Sequence, residues 1–141
     1  MLLIIIINSF LVAAVVMVHF EVLNFLSSLI PKIPVQRRMR ILLGVFGALL
    51  AHIFEIWMFA FGYFVLVQFP EFGTLTGNFN HSLLDCAYFS FTCYTSLGFG
   101  DIQPTGNLRF LSGLEALTGL VLIAWTASFM FIEMQKLWKA Q

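Results

Sequence analysis

The chain has 141 residues, of which 60% are hydrophobic and 10% charged, and its formal net charge is zero. Too few polar side chains are present to cover a water-soluble domain, and a disordered chain is excluded as well, which leaves a membrane protein. The length suits one membrane domain and is expected to leave no room for a separate sensor or catalytic domain. Cys86 and Cys93 stand seven apart in an expected helix. That is about 10 Å along its axis, beyond the reach of a disulfide within one chain. Neither a metal-type Cys/His cluster nor a nucleophile–base motif is present, so neither an enzyme nor a resident cofactor is expected.

Residues 2–18 are almost wholly apolar, broken only by Asn8 and Ser9. No basic residues precede them and no small-residue cleavage site clearly follows, so they read as an anchor rather than a signal peptide. The apolar character continues to Ile30 past His19, Glu21 and Asn24, and this second half reads as amphipathic and interfacial. Segment 1–30 is therefore expected as an N-terminal transmembrane or interfacial helix, ended by Pro31 and Pro34. Segment 31–40 is expected as a cytoplasmic loop, because Lys32, Arg37, Arg38 and Arg40 are four of the seven basic residues. That topogenic role accounts for the cluster, and no nucleic-acid partner is expected.

Residues 41–69 form the expected outer helix of a pore domain spanning 41–135. His52 and Glu55 lie near its centre, three apart and on one face. Polar groups at that depth are costly and normally face protein or a water-filled cavity. The bland reading is a packed polar pair, with His19, Glu21 or Asn24 as partners; the sharper one is a proton-sensing or gating pair. A metal site would need more ligands than this pair supplies. Residues 70–81, with Gly73, Gly77, Asn78 and Asn80, read as an exposed turn region containing the sequon Asn80, His81, Ser82.

Ser82 and Asp85 have the spacing of a capping box. They open an expected pore helix over 82–95, too short to span, which must dip into the membrane and return. Residues 107–133 form the expected inner helix, with Gly113, Ala116, Gly119, Ala124, Ala127 and Ser128 as small contact positions. Lys136 and Lys139 follow, so 136–141 reads as a short cytoplasmic tail, with Trp138 at the interface. The N-terminus is then outside.

Between the pore helix and the inner helix run Thr95, Ser96, Leu97, Gly98, Phe99, Gly100 and Asp101, with Pro104 beyond. Glycine takes backbone angles closed to other residues, so a Gly-x-Gly run lets successive carbonyls point the same way. A ring of such carbonyls from several chains can replace the water shell of a cation. This stretch resembles the potassium-channel signature, in which a threonine, an aliphatic residue, Gly, Tyr or Phe, Gly and Asp follow one another. From about residue 57 to 131 the chain is similar to the pore module of two-transmembrane potassium channels, here with one additional N-terminal span.

The resemblance implies an all-α integral membrane fold. Three transmembrane helices, a re-entrant pore helix and a selectivity-filter loop would assemble in the tetrameric potassium-channel pore architecture. It implies filter residues 96–101, with Thr95 at their inner end and K⁺ held at Ser96, Leu97, Gly98 and Phe99. Ser96 stands where the family usually has Thr, Leu97 where it has Val or Ile, and Phe99 where Tyr is commoner. Gly100 matches the second filter glycine and Asp101 the outer-mouth carboxylate. Tyr88 and Phe89 fall where many relatives have a tryptophan pair, and Thr92 where some place an acid behind the filter. Glu115 is expected to supply that carboxylate from the inner helix, and Gly119 falls near the family's hinge glycine. Glu71 and Asp101 would gather cations at the mouth, with Arg109 paired to one of them.

The expected function is a potassium-selective cation channel subunit conducting passively through a Ser-Leu-Gly-Phe-Gly-Asp filter. No cofactor is involved beyond the permeant K⁺. The expected partners are three further copies in a homotetramer, the lipid bilayer and monovalent cations, in a plasma or inner membrane. One alternative is a non-selective monovalent cation channel. An alternative of another class is a non-conducting structural or assembly subunit whose glycine loop merely packs. A membrane enzyme built on His52 and Glu55 lacks a third catalytic group.

Overall fold

The first apolar stretch folds as a single helix, α1 (Leu2–Leu29), in the computed structural model, which describes residues 2–139. Met1 of the expected N-terminal segment, and Ala140 and Gln141 of the expected tail, lie outside the described residues. Helix α1 buries Ile4, Asn8, Val15, His19, Leu23 and Leu26. These positions recur with helical spacing and mark one face. The apolar residues around them conceal that face in the sequence. His19 is fully buried while Glu21 and Asn24 are exposed. The second half of α1 thus turns its histidine inward rather than toward an aqueous surface, because polar partners wait there.

A short 3₁₀ turn, Ile30–Lys32, leads to α2 (Arg37–Leu66). Three of the basic residues expected in the loop therefore stand on the first turn of α2. Arg40 Nε donates to the Ile33 carbonyl at 3.1 Å and closes the connection. Gly44, Ala48 and Ala51 are buried on the α2 face that receives α1. Small side chains let two membrane helices approach closely where lipid supplies no hydrophobic drive for packing.

The region read as an exposed turn contains a short strand, β1 (Leu75–Gly77). It pairs antiparallel with β2 (Ile102–Pro104) in the register Leu75↔Pro104, Thr76↔Gln103, Gly77↔Ile102. Between these strands lie the pore-helix candidate, α3 (Leu83–Tyr94), and the glycine loop; the long helix α4 (Leu108–Lys139) follows. The strand pair clamps the two ends of the re-entrant excursion together. Asn78 N–H to the Asp101 carbonyl at 2.9 Å and Thr105 N–H to the Thr74 carbonyl at 2.8 Å extend the clamp on either side.

Helix α3 packs between α2 and α4, and α1 lies against both of them. The core where the four helices meet holds Val15, Phe59, Tyr63, Phe89, Tyr94, Leu108, Leu111 and Leu122. Among the described residues, three helices are long and apolar enough to cross a membrane. Their outward faces carry exposed Phe10, Phe46, Leu50, Phe61, Leu117 and Val121, side chains that suit lipid or neighbouring copies rather than water. Of the small residues expected to mediate contacts of α4, Gly119 is buried, whereas Gly113, Ala124, Ala127 and Ser128 are exposed.

Candidate ion-conduction site

Helix α3 starts where the capping pattern places it. The Ser82 hydroxyl accepts from the Asp85 N–H at 3.0 Å, and the Asp85 carboxylate accepts from the Asn80 N–H at 2.8 Å. This backbone bond, with the Ser82 contacts, holds the Asp85 carboxyl below the usual carboxylate range. The helix ends at Thr95, whose hydroxyl donates to the Phe91 carbonyl at 2.7 Å.

Beyond it the backbone alternates in hand. Ser96, Gly98 and Gly100 have φ of 57°, 52° and 81°, whereas Leu97 and Phe99 keep negative φ. Alternation of this kind gathers N–H groups on one side of the chain and carbonyls on the other. The N–H side is tied to α3: Ser96 N–H donates to the Cys93 carbonyl at 2.9 Å and Gly98 N–H to the Thr92 carbonyl at 3.1 Å. The carbonyls of Ser96, Leu97, Gly98 and Phe99 accept no hydrogen bond from the described residues, and the loop is exposed from Thr95 to Asp101. That of Gly100 accepts from Gln103 Nε2 at 3.1 Å. A Cβ on Gly98 or Gly100 would meet open space within the chain. The backbone angle, not crowding by the subunit itself, calls for glycine there. Ser96 carries a side chain in the same region, at a cost of about 1–2 kcal/mol.

The residues expected to support the loop divide by role. Thr92 acts through its carbonyl; its hydroxyl donates to the Phe89 carbonyl at 2.8 Å. Phe89 is buried edge-on against Tyr63, with ring centroids 5.0 Å apart. Tyr88 faces outward and stacks on Phe99 at 6.5 Å with an interplanar angle of 5°. Hydrogen bonding with the Asp101 carboxylate raises the pKa of the Tyr88 phenol. Glu115 is fully buried and accepts from the Tyr63 hydroxyl at 2.7 Å and from the Ser90 hydroxyl. It ties α2, α3 and α4 together. Arg109 makes no ion pair with Glu71 or Asp101 among the described residues.

His52 and Glu55 belong to a larger cluster behind the loop. His19 Nδ1 lies 2.8 Å from Glu55 Oε1, and His52 Nδ1 lies 3.2 Å from Glu55 Oε2 and 2.8 Å from the Tyr94 hydroxyl. Tyr94 in turn donates to Glu55 Oε2 at 2.5 Å. Thr126 Oγ1 stands 3.0 Å from His52 Nε2 and 3.3 Å from His19 Nε2. His19 is among the partners the sequence suggests for this pair; Tyr94 and Thr126 are not. A buried tyrosine needs a partner for its hydroxyl, which is the signal that points to Tyr94. Thr126, in an apolar run, carries none. Gly119 lies within continuous α4, directly against the Tyr94 carbonyl.

A re-entrant helix ending in an exposed, carbonyl-lined loop between membrane-length helices defines a pore-loop membrane protein. A family model described as "Ion channel" matches residues 51–136, and the chain belongs to that family, the two-transmembrane ion channels of potassium-channel pore type. It is an integral membrane channel and not an enzyme; channels of this family need no cofactor, and the ions that pass are what it acts on. Helix α1 and the first part of α2 lie outside the matched residues. Searches of the curated proteins and of the solved structures return no match.

Proposed function

We propose that the chain is the subunit of a homotetrameric, potassium-selective channel whose permeant ions bind the carbonyls of Ser96, Leu97, Gly98 and Phe99. Thr95 would lie at the inner end of the filter, and Gly100 and Asp101 at its outer end. The observation that carries the reading is the alternation of φ at 96, 98 and 100, with N–H groups of Ser96 and Gly98 bound to α3 and four consecutive carbonyls without partners among the described residues. Carbonyls freed in this way are what a dehydrated cation needs. One chain supplies one such loop, and its exposure is that of a surface to be completed by further copies around an axis. Exposed Leu117, Leu120 and Val121 on α4 suit the same assembly.

The N-terminus is assigned to the outside and the C-terminus to the cytoplasm of a plasma or inner membrane. Ser27, near the end of α1, donates to Glu133, near the end of α4, at 3.3 Å. Lys136 and Lys139 therefore share an end of the molecule with Lys32, Arg37, Arg38 and Arg40, as the charge rule asks of cytoplasmic segments. Cations at the N-terminus of α2 oppose its dipole, so helix stability offers no reason for them. Gating is assigned to His52, Glu55 and Gly119, because all three act on Tyr94, the last residue of α3 and the neighbour of Thr95.

A second reading, a non-selective cation pore, draws on Phe99. Its ring stacks on Tyr88 but carries no hydroxyl to tie the loop to α3, and stiffness of the coordinating oxygens bears on selectivity. Flux into liposomes under a potassium gradient, then a sodium gradient, with Gly98→Ala as control, decides between the two. Potassium flux alone supports the selective channel. Equal flux of both ions supports the second reading, and flux unaffected by Gly98→Ala removes the filter assignment.

A further inference from the structure

We propose that His19, His52 and Glu55 form a binding site for a divalent transition-metal ion of the zinc class, which fastens α1 to the pore module behind the filter. Each residue offers one ligand atom, and the three atoms lie within 4.8 Å of one another. His19 comes from α1, outside the matched residues, and His52 and Glu55 from inside them. The sequence pair alone lacks a third ligand; the packing of α1 on α2 supplies it.

The spacing fits. Zinc binds imidazole nitrogen and carboxylate oxygen at about 2.0–2.2 Å, so ligand atoms in a tetrahedral site stand about 3.3 Å apart. His19 Nδ1 lies 2.8 Å from Glu55 Oε1 and His52 Nδ1 lies 3.2 Å from Glu55 Oε2, hydrogen-bond separations that a small outward shift of the rings would widen to that value. Both Nδ1 atoms face the Glu55 carboxylate, while both Nε2 atoms face Thr126 Oγ1. A fixed partner on the second ring nitrogen is the usual outer support of a metal-binding histidine. Tyr94 Oη, 2.8 Å from His52 Nδ1, stands on the remaining side, where it can complete the coordination or hold the free carboxylate oxygen. Two imidazoles and one carboxylate favour zinc, cobalt or nickel over potassium, calcium or magnesium.

Donor counting also asks for a cation here. Neutral imidazoles, an ionised Glu55, Tyr94 and Thr126 together carry four hydrogens. Six contacts need one each: His19 with Glu55, His52 with Glu55 and Tyr94, Tyr94 with Glu55, and each imidazole with Thr126. Glu55 and His19 are fully buried, where an uncompensated carboxylate is costly. A metal ion replaces the hydrogens on both Nδ1 atoms and supplies the missing charge. An additional proton is the competing occupant.

The test is titration of the chelator-treated full chain in detergent with Co²⁺, read by its visible d–d absorption, followed by competition with Zn²⁺. It does not depend on conduction, so a failed flux assay leaves it intact. The expected result is one Co²⁺ per chain, displaced by Zn²⁺. His81→Gln, which changes the exposed third histidine, should leave it unaltered. His52→Gln should abolish it, and Thr126→Ala, which spares every ligand, should weaken it by about 10- to 100-fold. No absorption at millimolar Co²⁺, or absorption that survives His52→Gln but not His81→Gln, overturns the proposal in favour of a proton or of a surface site.

Discussion

The main-chain carbonyl of Tyr94 lies so close to Gly119 that a Cβ at position 119 would sit 2.1 Å from the oxygen. The end of α3 and the middle of α4 are thus in backbone contact one residue before the loop begins. That contact requires glycine at this position whether or not α4 also bends there.

Gly119→Ala should therefore force the two helices apart. Overpacking of this kind costs about 1–3 kcal/mol, and the clash is with backbone that has no rotamer to change. A lowered melting temperature in detergent is expected, together with weakened filter function. Gly113→Ala, where the added methyl meets open space, should leave melting unlowered or raise it, since alanine is the better helix former. Equal melting of the two variants would show that the contact is not maintained.

Introducing the residues commoner in potassium channels should stiffen the proposed filter. Phe99→Tyr adds a hydroxyl that can bond toward α3, and Ser96→Thr adds a methyl that restricts the rotamer. The potassium-to-sodium flux ratio in liposomes is expected to rise in each variant and to rise further in the double variant. A ratio unmoved by both would mean that neither side chain limits selectivity.

Glu115 joins three helices through Tyr63 and Ser90. Tyr63→Phe removes one hydrogen bond and leaves a buried carboxylate oxygen without it, a loss of about 1–3 kcal/mol. Glu115→Ala leaves the buried Tyr63 hydroxyl unpaired, with Ser90 keeping the Ile56 carbonyl, and opens a cavity as well, so its loss should be the larger. Thermal melting of the two variants, compared with Glu71→Ala at the exposed turn, gives the order directly.

The capping bond at Asp85 carries a pH signature. Because its pKa is depressed in the folded chain, its contribution is present above the unfolded value, about 3.9, and is lost as pH falls through the lower folded value. Protection of the Asn80 and Asp85 amides from hydrogen exchange should fall in that window relative to the rest of α3. In Asp85→Asn the protection should be independent of pH across it.

Much of the architecture was legible along the chain, because long apolar runs, prolines and glycines act locally. Composition alone called for a membrane protein, and the lengths of the apolar runs for three crossing helices. Ser82 and Asp85 marked the start of α3, since a cap is made by neighbours in sequence. The alternation of Gly98 and Gly100 pointed to a carbonyl-lined loop, since φ is a property of single residues. The strands 75–77 and 102–104 were not legible, being too short to show a period and paired across a long stretch of chain.

The buried face of α1 was hidden because apolar residues surround it on all sides, so His19 looked like the start of an interfacial half. Only tertiary packing decided that His19, His52, Glu55, Tyr94 and Thr126 share one cluster, since its members come from four helices and no local rule relates them. The role of Glu115 was decided in the same way: its depth on the inner helix could be read, but not that Ser90 and Tyr63 would take both its oxygens. What the sequence determined by itself was set by solvent and by local backbone angles. The rest followed from which helix faces met, and that depends on contacts far apart in the chain.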